Sequence, residues 1–156
     1  MDLMNLLEEF VKLFDLVVSM NIGQINEKYC LHDCVVNKIE IRDSTLILCL
    51  SKGVYEFNAN TGIYKTSENC NIYMSIDNLN EKEVSEHVSI NLFKKNIKKD
   101  ISFNKFCEMV NRYNFRIYLD FYSNFAKGIL LKGYCNKHEI EFFVTEVNDI
   151  QFIFSE

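Results

Sequence analysis

The chain has 156 residues, of which 48% are apolar and 25% charged, a balance that excludes a disordered chain and predicts a folded globular protein. This length predicts a single domain over residues 1–156, and the place where a subdivision would fall is near residues 94–101. The formal net charge of −5 disfavours direct binding of nucleic acid, because phosphate recognition needs a positive field, and it favours a basic protein as partner.

The N-terminal segment, residues 3–20, has apolar residues near helical spacing and is predicted to form an amphipathic helix. Asp2 stands where an export signal carries positive charge, and charged residues between positions 8 and 15 interrupt the run of about 18 to 20 apolar residues that a membrane span needs. We therefore expect a cytoplasmic protein that does not contact a membrane. Cys49 in an apolar strand and Cys107 on an apolar helix stripe are expected to be buried, reduced thiols.

Residues 31–57 carry the clearest strand pattern. Apolar and charged residues alternate up to Arg42, two polar turn residues follow, and residues 45–50 form an apolar run typical of a strand, which together predict a hairpin. Gly53 interrupts the pattern before residues 54–57 resume it. These signals predict three strands in a meander.

The middle of the chain alternates between polar and periodic segments. Residues 64–69 are expected to form a loop, and period-two alternation predicts strands over 71–76 and 88–93. The segment 94–100 contains the chain's densest positive cluster, Lys94, Lys95, Lys98 and Lys99, and is interpreted as a solvated connector without aromatic residues to stack on bases. A second helix is expected between the N-cap Ser102 and Asn114.

From Phe115 onward, apolar and alternating segments are separated by short turns. Such turns predict an antiparallel meander, because parallel neighbours need a long crossover connection. The four strands are expected at 115–122, 127–134, 139–147 and 150–154. The expected fold class is α+β: two helices packed on antiparallel sheet arranged as two meanders.

The first strand of this second meander offers a candidate partner-binding row. If the core-facing residues are Phe115 and every second residue after it, then Arg116, Tyr118, Asp120 and Tyr122 all point outward. Tyrosine buries a large area at low entropy cost and arginine donates directed hydrogen bonds, so this composition is typical of a protein interface. A solvated sheet face is the alternative interpretation.

Two groups of side chains could ligate a metal, Cys30 with His32 and Cys34, and Cys135 with His138. Alternate residues of an extended segment lie about 6.6 Å apart, so Cys30 and Cys34, about 13 Å apart, cannot share one ion without a bend. We expect partly buried thiols and a structural histidine, and neither metal nor cofactor. A thiol-dependent enzyme using Cys34 or Cys135 needs a histidine within hydrogen-bond reach, and no motif supplies one.

Short matches spread over residues 29–155 resemble small cytosolic bacterial immunity-type proteins. They are Leu31-His32-Asp33 entering a strand, Lys52-Gly53 followed by Tyr55, Ile101-Ser102 with Phe106, and Leu131-Lys132-Gly133. This resemblance, the negative charge and the lack of a catalytic motif predict a non-enzymatic inhibitor, either a toxin-neutralising immunity protein or a phage-type inhibitor of a host defence nuclease. It is expected to be a monomer or weak dimer. The other alternative is a β-rich domain that binds an apolar small molecule.

Overall fold

The computed structural model describes Leu3 and residues 16–155. Of these residues, 53% lie in strands and 16% in helices, and the strands form three antiparallel sheets. The predicted α+β class is therefore wrong, because the described fold is mainly β and its two helices are short. Segments expected to be helix or loop turn out to be strands.

The strands are short and closely spaced along the chain. In chain order they are β1 (Leu16–Met20), β2 (Tyr29–Cys30), β3 (Val35–Val36), β4 (Lys38–Arg42), β5 (Thr45–Leu50), β6 (Tyr55–Asn58), β7 (Ile63–Thr66), β8 (Cys70–Ser75), β9 (Val88–Lys94), β10 (Ile97–Asp100), β11 (Phe115–Ser123), β12 (Gly128–Cys135), β13 (His138–Val144) and β14 (Asp149–Phe154). The helices are α1 (Ile25–Lys28) and α2 (Phe103–Tyr113), and single 3-10 turns lie at Ile22–Gln24 and Val84–Glu86.

Each large sheet mixes strands from both halves of the chain. The five-stranded sheet has the order β1-β14-β8-β5-β4, the six-stranded sheet β10-β9-β13-β12-β11-β3, and the small sheet β2-β6-β7. The two predicted meanders are therefore wrong: β6 pairs with β2 and β7 instead of β5, and β14 inserts between β1 and β8. A short link between β13 and β14 allows this change of sheet, because its Asn148 N–H binds the Ser75 carbonyl of the five-stranded sheet at 2.9 Å.

Hairpins follow the local signals more closely than sheets do. The predicted β4–β5 hairpin is confirmed, and its turn residues Asp43 and Ser44 both have positive φ, the conformation of a primed two-residue turn. The basic segment expected to be a connector is instead the β9–β10 hairpin, with Lys95 and Asn96 at positive φ. Similarly, the loop expected at 64–69 begins inside β7.

The predicted N-terminal helix is wrong over its last five residues. Leu16–Met20 form β1, which pairs with β14 at the edge of the five-stranded sheet. Two adjacent β-branched residues, Val17 and Val18, favour this extended conformation. Leu3 is helical, and the rest of the predicted helix lies outside the described residues.

The predicted helix after Ser102 is confirmed as α2. The Ser102 hydroxyl oxygen accepts a hydrogen bond from the Lys105 N–H at 3.1 Å and caps the helix. Phe106 is fully buried and packs against Phe115 and Phe142 of the six-stranded sheet, each with its ring centroid 5.4 Å away. Since α2 also contacts β4, the helix links the two large sheets.

Buried residues of all three sheets form one hydrophobic cluster. At one point of this core Tyr29 of the small sheet stacks on Phe152 of the five-stranded sheet, with ring centroids 4.5 Å apart. Among the described residues, no helix has the length and apolar character needed to cross a membrane.

Candidate protein-binding face

A β-bulge in the middle of β11 decides which side chains of this strand face outward. Ile117 lies opposite Gly133, but the next pair joins Leu119 to Lys132, so Tyr118 is an extra residue with no partner on β12. A bulge of this kind inverts the alternation of side chains beyond it. Consequently the even-numbered residues of β11 face outward up to Tyr118, and the odd-numbered residues face outward from Leu119 on.

The bulge separates the four residues predicted to form one outward row. Arg116 and Tyr118 point to the exposed side, whereas Asp120 and Tyr122 lie opposite Leu131 and Ile129, which are core residues. The structure therefore does not bring the four together on one face. Their predicted positions are wrong for the second half of the strand, and their role in binding a partner stays a prediction.

In place of Asp120 and Tyr122, the bulge exposes two apolar side chains. Leu119 is 40% exposed and Phe121 is 61% exposed, although both were expected in the core. Residues directly opposite one another on neighbouring strands share a face. We use the term outer face for the side of the six-stranded sheet that carries Arg116, Tyr118, Leu119, Phe121, Leu130, Lys132, Tyr134, Glu139, Glu141 and Phe143.

The outer face has an ordered polar end. The Tyr118 hydroxyl donates a hydrogen bond to the Glu139 carboxylate, and the Tyr118 ring lies 5.3 Å from the ring of Tyr134. The hydrogen bond to Glu139 raises the pKa of Tyr118 to about 12, so the hydroxyl remains a donor at neutral pH. Nearby, Lys132 and Glu141 form an ion pair at 3.1 Å.

The other end of the outer face is apolar. Phe121, Leu130 and Phe143 form one row across β11, β12 and β13, and the row ends at Ser89 of β9. Leu130 and Phe143 are partly buried, and Phe121 projects further into solvent. An aromatic and aliphatic row bordered by charged pairs is the composition of a protein interface, in which apolar residues form the centre and polar residues the rim.

An acidic cavity lies beside this apolar end. It has a volume of about 580 Å³, and its carboxylates come from Asp77, Glu83, Glu86 and Glu146. Three of its lining residues, Glu86, His87 and Glu146, flank the start of β9 and the end of β13, the strand ends nearest the apolar row. His87 is partly buried in it, and its buried Nδ1 lies 3.7 Å from the Glu146 carboxylate.

Asp120 and Tyr122 have a structural role on the inner side of the sheet. The Asp120 carboxylate accepts hydrogen bonds from the Leu31 N–H at 3.3 Å and from the Tyr122 hydroxyl at 2.8 Å. Burial, together with the Asp120 charge, raises the pKa of Tyr122 well above its usual value and keeps the hydroxyl protonated. These contacts fix the Leu31-His32-Asp33 segment against β11.

The same segment adds backbone contacts at the bulge. Asp33 has φ of 67° and donates its N–H to the Ile117 carbonyl at 2.7 Å, while the Ile117 N–H binds the Cys34 carbonyl at 2.9 Å. His32 is exposed and lies 3.6 Å from the Asp33 carboxylate. The Leu31-His32-Asp33 motif therefore supports β11 through backbone hydrogen bonds.

The fold partly brings each predicted metal-ligand group together. The Cys34 thiol donates a hydrogen bond to the Cys30 carbonyl oxygen at 3.5 Å, and Cys135 lies opposite His138 on the paired strands β12 and β13. Cys34 and Cys135 are buried, whereas His32 is exposed and His138 lines a cavity described below. Within residues 16–155, no three side chains of the ligand-forming types come together as a metal site.

The thiols differ in depth. Cys34, Cys70 and Cys135 are buried, while Cys49 and Cys107, both expected to be buried, are only partly so. Burial raises the pKa of Cys34 to about 12 and that of Cys135 to about 11. Since the thiolate is the nucleophilic form, these environments oppose activation of either cysteine at neutral pH.

No family model, curated protein or solved structure matches the chain.

One sequence signal could have located the bulge. Gly133 sits inside an apolar strand, where glycine often marks a bulge or the close approach of another backbone. In the structure a Cβ on Gly133 would lie 2.1 Å from the Arg116 carbonyl oxygen, so only glycine fits opposite the bulge.

Proposed function

We propose that the chain is a non-enzymatic protein that binds and inhibits a basic protein, and that the outer face is its binding surface. The observation that carries the proposal is the apolar row of Phe121, Leu130 and Phe143, in which Phe121 is 61% exposed and lies on the same face as the exposed Leu119. Large exposed apolar residues grouped on one face are uncommon on monomeric proteins and typically mark an interaction site.

Charge supports a basic partner. The acidic cavity at the start of β9 contributes four carboxylates, and the whole chain carries a net charge of −5. A partner surface with lysine or arginine beside apolar residues would match both parts, and opposite charges would speed the encounter. Toxins and nucleases that act on nucleic acid carry such basic surfaces.

The resemblance to immunity-type proteins supports the same class of function. On this proposal the chain acts in the cytoplasm as a monomer or weak dimer, either as an immunity protein for a toxin or as a phage-type inhibitor of a defence nuclease. It needs neither cofactor nor metal.

The test uses toxins or nucleases encoded beside the gene, purified and titrated with the full chain while their catalytic activity is measured. Phe121→Glu should weaken inhibition at least tenfold, about 1.4 kcal/mol, because it places a charge at the centre of the apolar row. Ile63→Glu is the matched control, since Ile63 is 64% exposed and Phe121 61% exposed, but Ile63 lies on the small sheet.

Equal inhibition by the wild type and by Phe121→Glu would contradict the assignment of the outer face. The proposal would also fail if the chain forms a tight dimer that Phe121→Glu dissociates, because the outer face would then be occupied by a second copy. Moderate salt should slow association with the partner, since exposed charges are screened beyond roughly 10 Å at 0.1 M.

A further inference from the structure

A second cavity, at the opposite end of β9 from the acidic one, has a different chemistry. It has a volume of about 590 Å³ and lies between the β9–β10 hairpin, helix α2 and the start of β13. Four lysines surround it: Lys94, Lys95, Lys99 and Lys105. We call it the lysine cavity, and we propose that it binds an amphipathic anion with an aliphatic tail, such as a fatty acid or an alkyl phosphate.

The strand register places two of the cations on the core side of the sheet. Lys99 pairs with Leu92 and Lys94 with Ile97, and Leu92 is a buried core residue. Because paired residues share a face, Lys99 and Lys94 occupy positions where an edge hairpin packed on a helix would ordinarily carry apolar residues. Cations at these positions are a feature of the cavity and not of the solvated side of the hairpin.

None of the four lysines forms an ion pair with the acidic groups among residues 16–155. Like charges around one volume repel each other, and a bound anion would reduce that repulsion. This concentration of positive charge contrasts with the negative charge of the chain as a whole. The local field therefore selects an anion.

The lining between the lysines is apolar. Ile97 is 69% exposed, Ile101 and Met109 are partly buried, and Leu92 is buried. Methionine and isoleucine side chains adapt to an alkyl chain, and transfer of that chain from water would cover apolar surface that is now exposed. The size also suits a small molecule, since ligand cavities usually measure about 300–1,000 Å³.

The lining favours an alkyl chain over a nucleotide. Among the described residues that line the cavity, Tyr113 and the imidazole of His138 are the aromatic rings, so successive bases would find little to stack on. Asn136 and His138 also line the cavity and offer polar atoms that can hydrogen-bond a carboxylate or phosphate head group.

The experiment is calorimetric titration of the full chain with decanoate and decyl phosphate, each below the concentration at which it forms micelles. Both should bind, whereas inorganic phosphate, which lacks the tail, and decyltrimethylammonium, which has the opposite charge, should bind at least tenfold more weakly. Equal binding of decanoate and decyltrimethylammonium would overturn the proposal, because charge would then play no part.

Adjacent residues of β10 provide a matched pair of variants. Lys99→Glu reverses a charge in the cavity, and Lys98→Glu makes the same change on the other face, where Lys98 pairs with Phe93. Lys99→Glu should weaken decanoate binding at least tenfold and Lys98→Glu less than threefold, with unchanged circular dichroism in both. Equal weakening by the two variants would show non-specific attraction and refute the site.

A second arm separates a free ligand from a lipid surface. Vesicles of neutral phospholipid containing one-fifth anionic phospholipid are sedimented with the chain. Binding to these vesicles without binding of decanoate or decyl phosphate would mean that the lysines contact a membrane surface, which would overturn a soluble ligand. Failure here leaves the proposed inhibitor function untouched, because that function rests on the outer face.

Discussion

Gly133→Ala tests whether the bulge in β11 is a fixed part of the fold. A Cβ at this position would lie 2.1 Å from the Arg116 carbonyl oxygen and 2.7 Å from a ring carbon of Phe115. Real Cβ contacts essentially never fall below 3.0 Å, so β11 and β12 would have to separate by about 1 Å next to the bulge.

The cost follows from three terms. Overpacking of this kind costs about 1–3 kcal/mol, and weakening one backbone hydrogen bond of the ladder adds about 1 kcal/mol. Alanine restricts the unfolded chain and returns about 0.4–1 kcal/mol. We expect a net loss of about 2–3 kcal/mol in the free energy of unfolding, which for a protein of this size lowers Tm by roughly 5–10 °C.

Equilibrium unfolding in urea measures this loss, with Gly128→Ala as the control in the same strand. There the nearest atom to a new Cβ is the Val144 carbonyl oxygen at 3.1 Å, a contact that a small shift relieves, so we expect a loss below about 1 kcal/mol. If Gly133→Ala is as stable as the wild type, or loses no more stability than Gly128→Ala, the bulge is not held as described.

Two further predictions concern buried polar groups. Asp120→Ala leaves the Leu31 N–H and the Tyr122 hydroxyl without their acceptor and should lower the free energy of unfolding by about 1–3 kcal/mol. Asp120→Asn should lower the free energy of unfolding by less. Equal urea midpoints for the wild type and Asp120→Ala would contradict the role of this carboxylate. Burial raises the pKa of Cys34 to about 12 and of Cys135 to about 11, so the folded state holds these protons more tightly than the unfolded chain does. The stability from this difference is complete below the usual thiol pKa of about 8.5 and is lost as pH rises through 11 to 12. Urea midpoints should therefore fall between about pH 8 and pH 10, less steeply in Cys135→Ala, and identical slopes in the two proteins would refute the assignment.

Local patterns predicted the elements whose residues interact with near neighbours in the chain. The β4–β5 hairpin follows from alternation and from Asp43-Ser44, and α2 follows from the Ser102 cap and an apolar stripe. In both cases the partner groups lie within a few residues, so the sequence contains the whole interaction. Loop lengths likewise predicted antiparallel pairing correctly.

Partner choice between distant strands was not predictable in this way. The strand β14 has the same alternation whether it pairs with β13 or inserts between β1 and β8, and nothing local distinguishes the two. Lysines in β10 suggested a solvated connector because cations are uncommon on the core side of a hairpin. The lysines are tolerated at these positions because their side chains remain exposed to solvent around the lysine cavity.

The candidate site was half predictable for a related reason. Choosing β11 as the binding strand required only its composition, but choosing its outward residues required counting from Phe115 through Tyr118, where the bulge adds one residue. After that point every assignment was inverted. Gly133, on the neighbouring strand, was the signal that the count would fail.

The two cavities place negative and positive charge at opposite ends of β9. Four carboxylates line the cavity at the start of β9, and four lysines surround the cavity at the end of β9. The seven-residue strand between the two cavities spans about 20 Å. Such a separation of charge is a permanent dipole along the sheet, and on the proposed function a basic partner would orient the chain so that the acidic end arrives first. The lysine cavity would then face away from the partner and remain open to solvent in the complex. An amphipathic anion would then enter or leave without dissociating the proposed complex, so the two sites would be occupied independently.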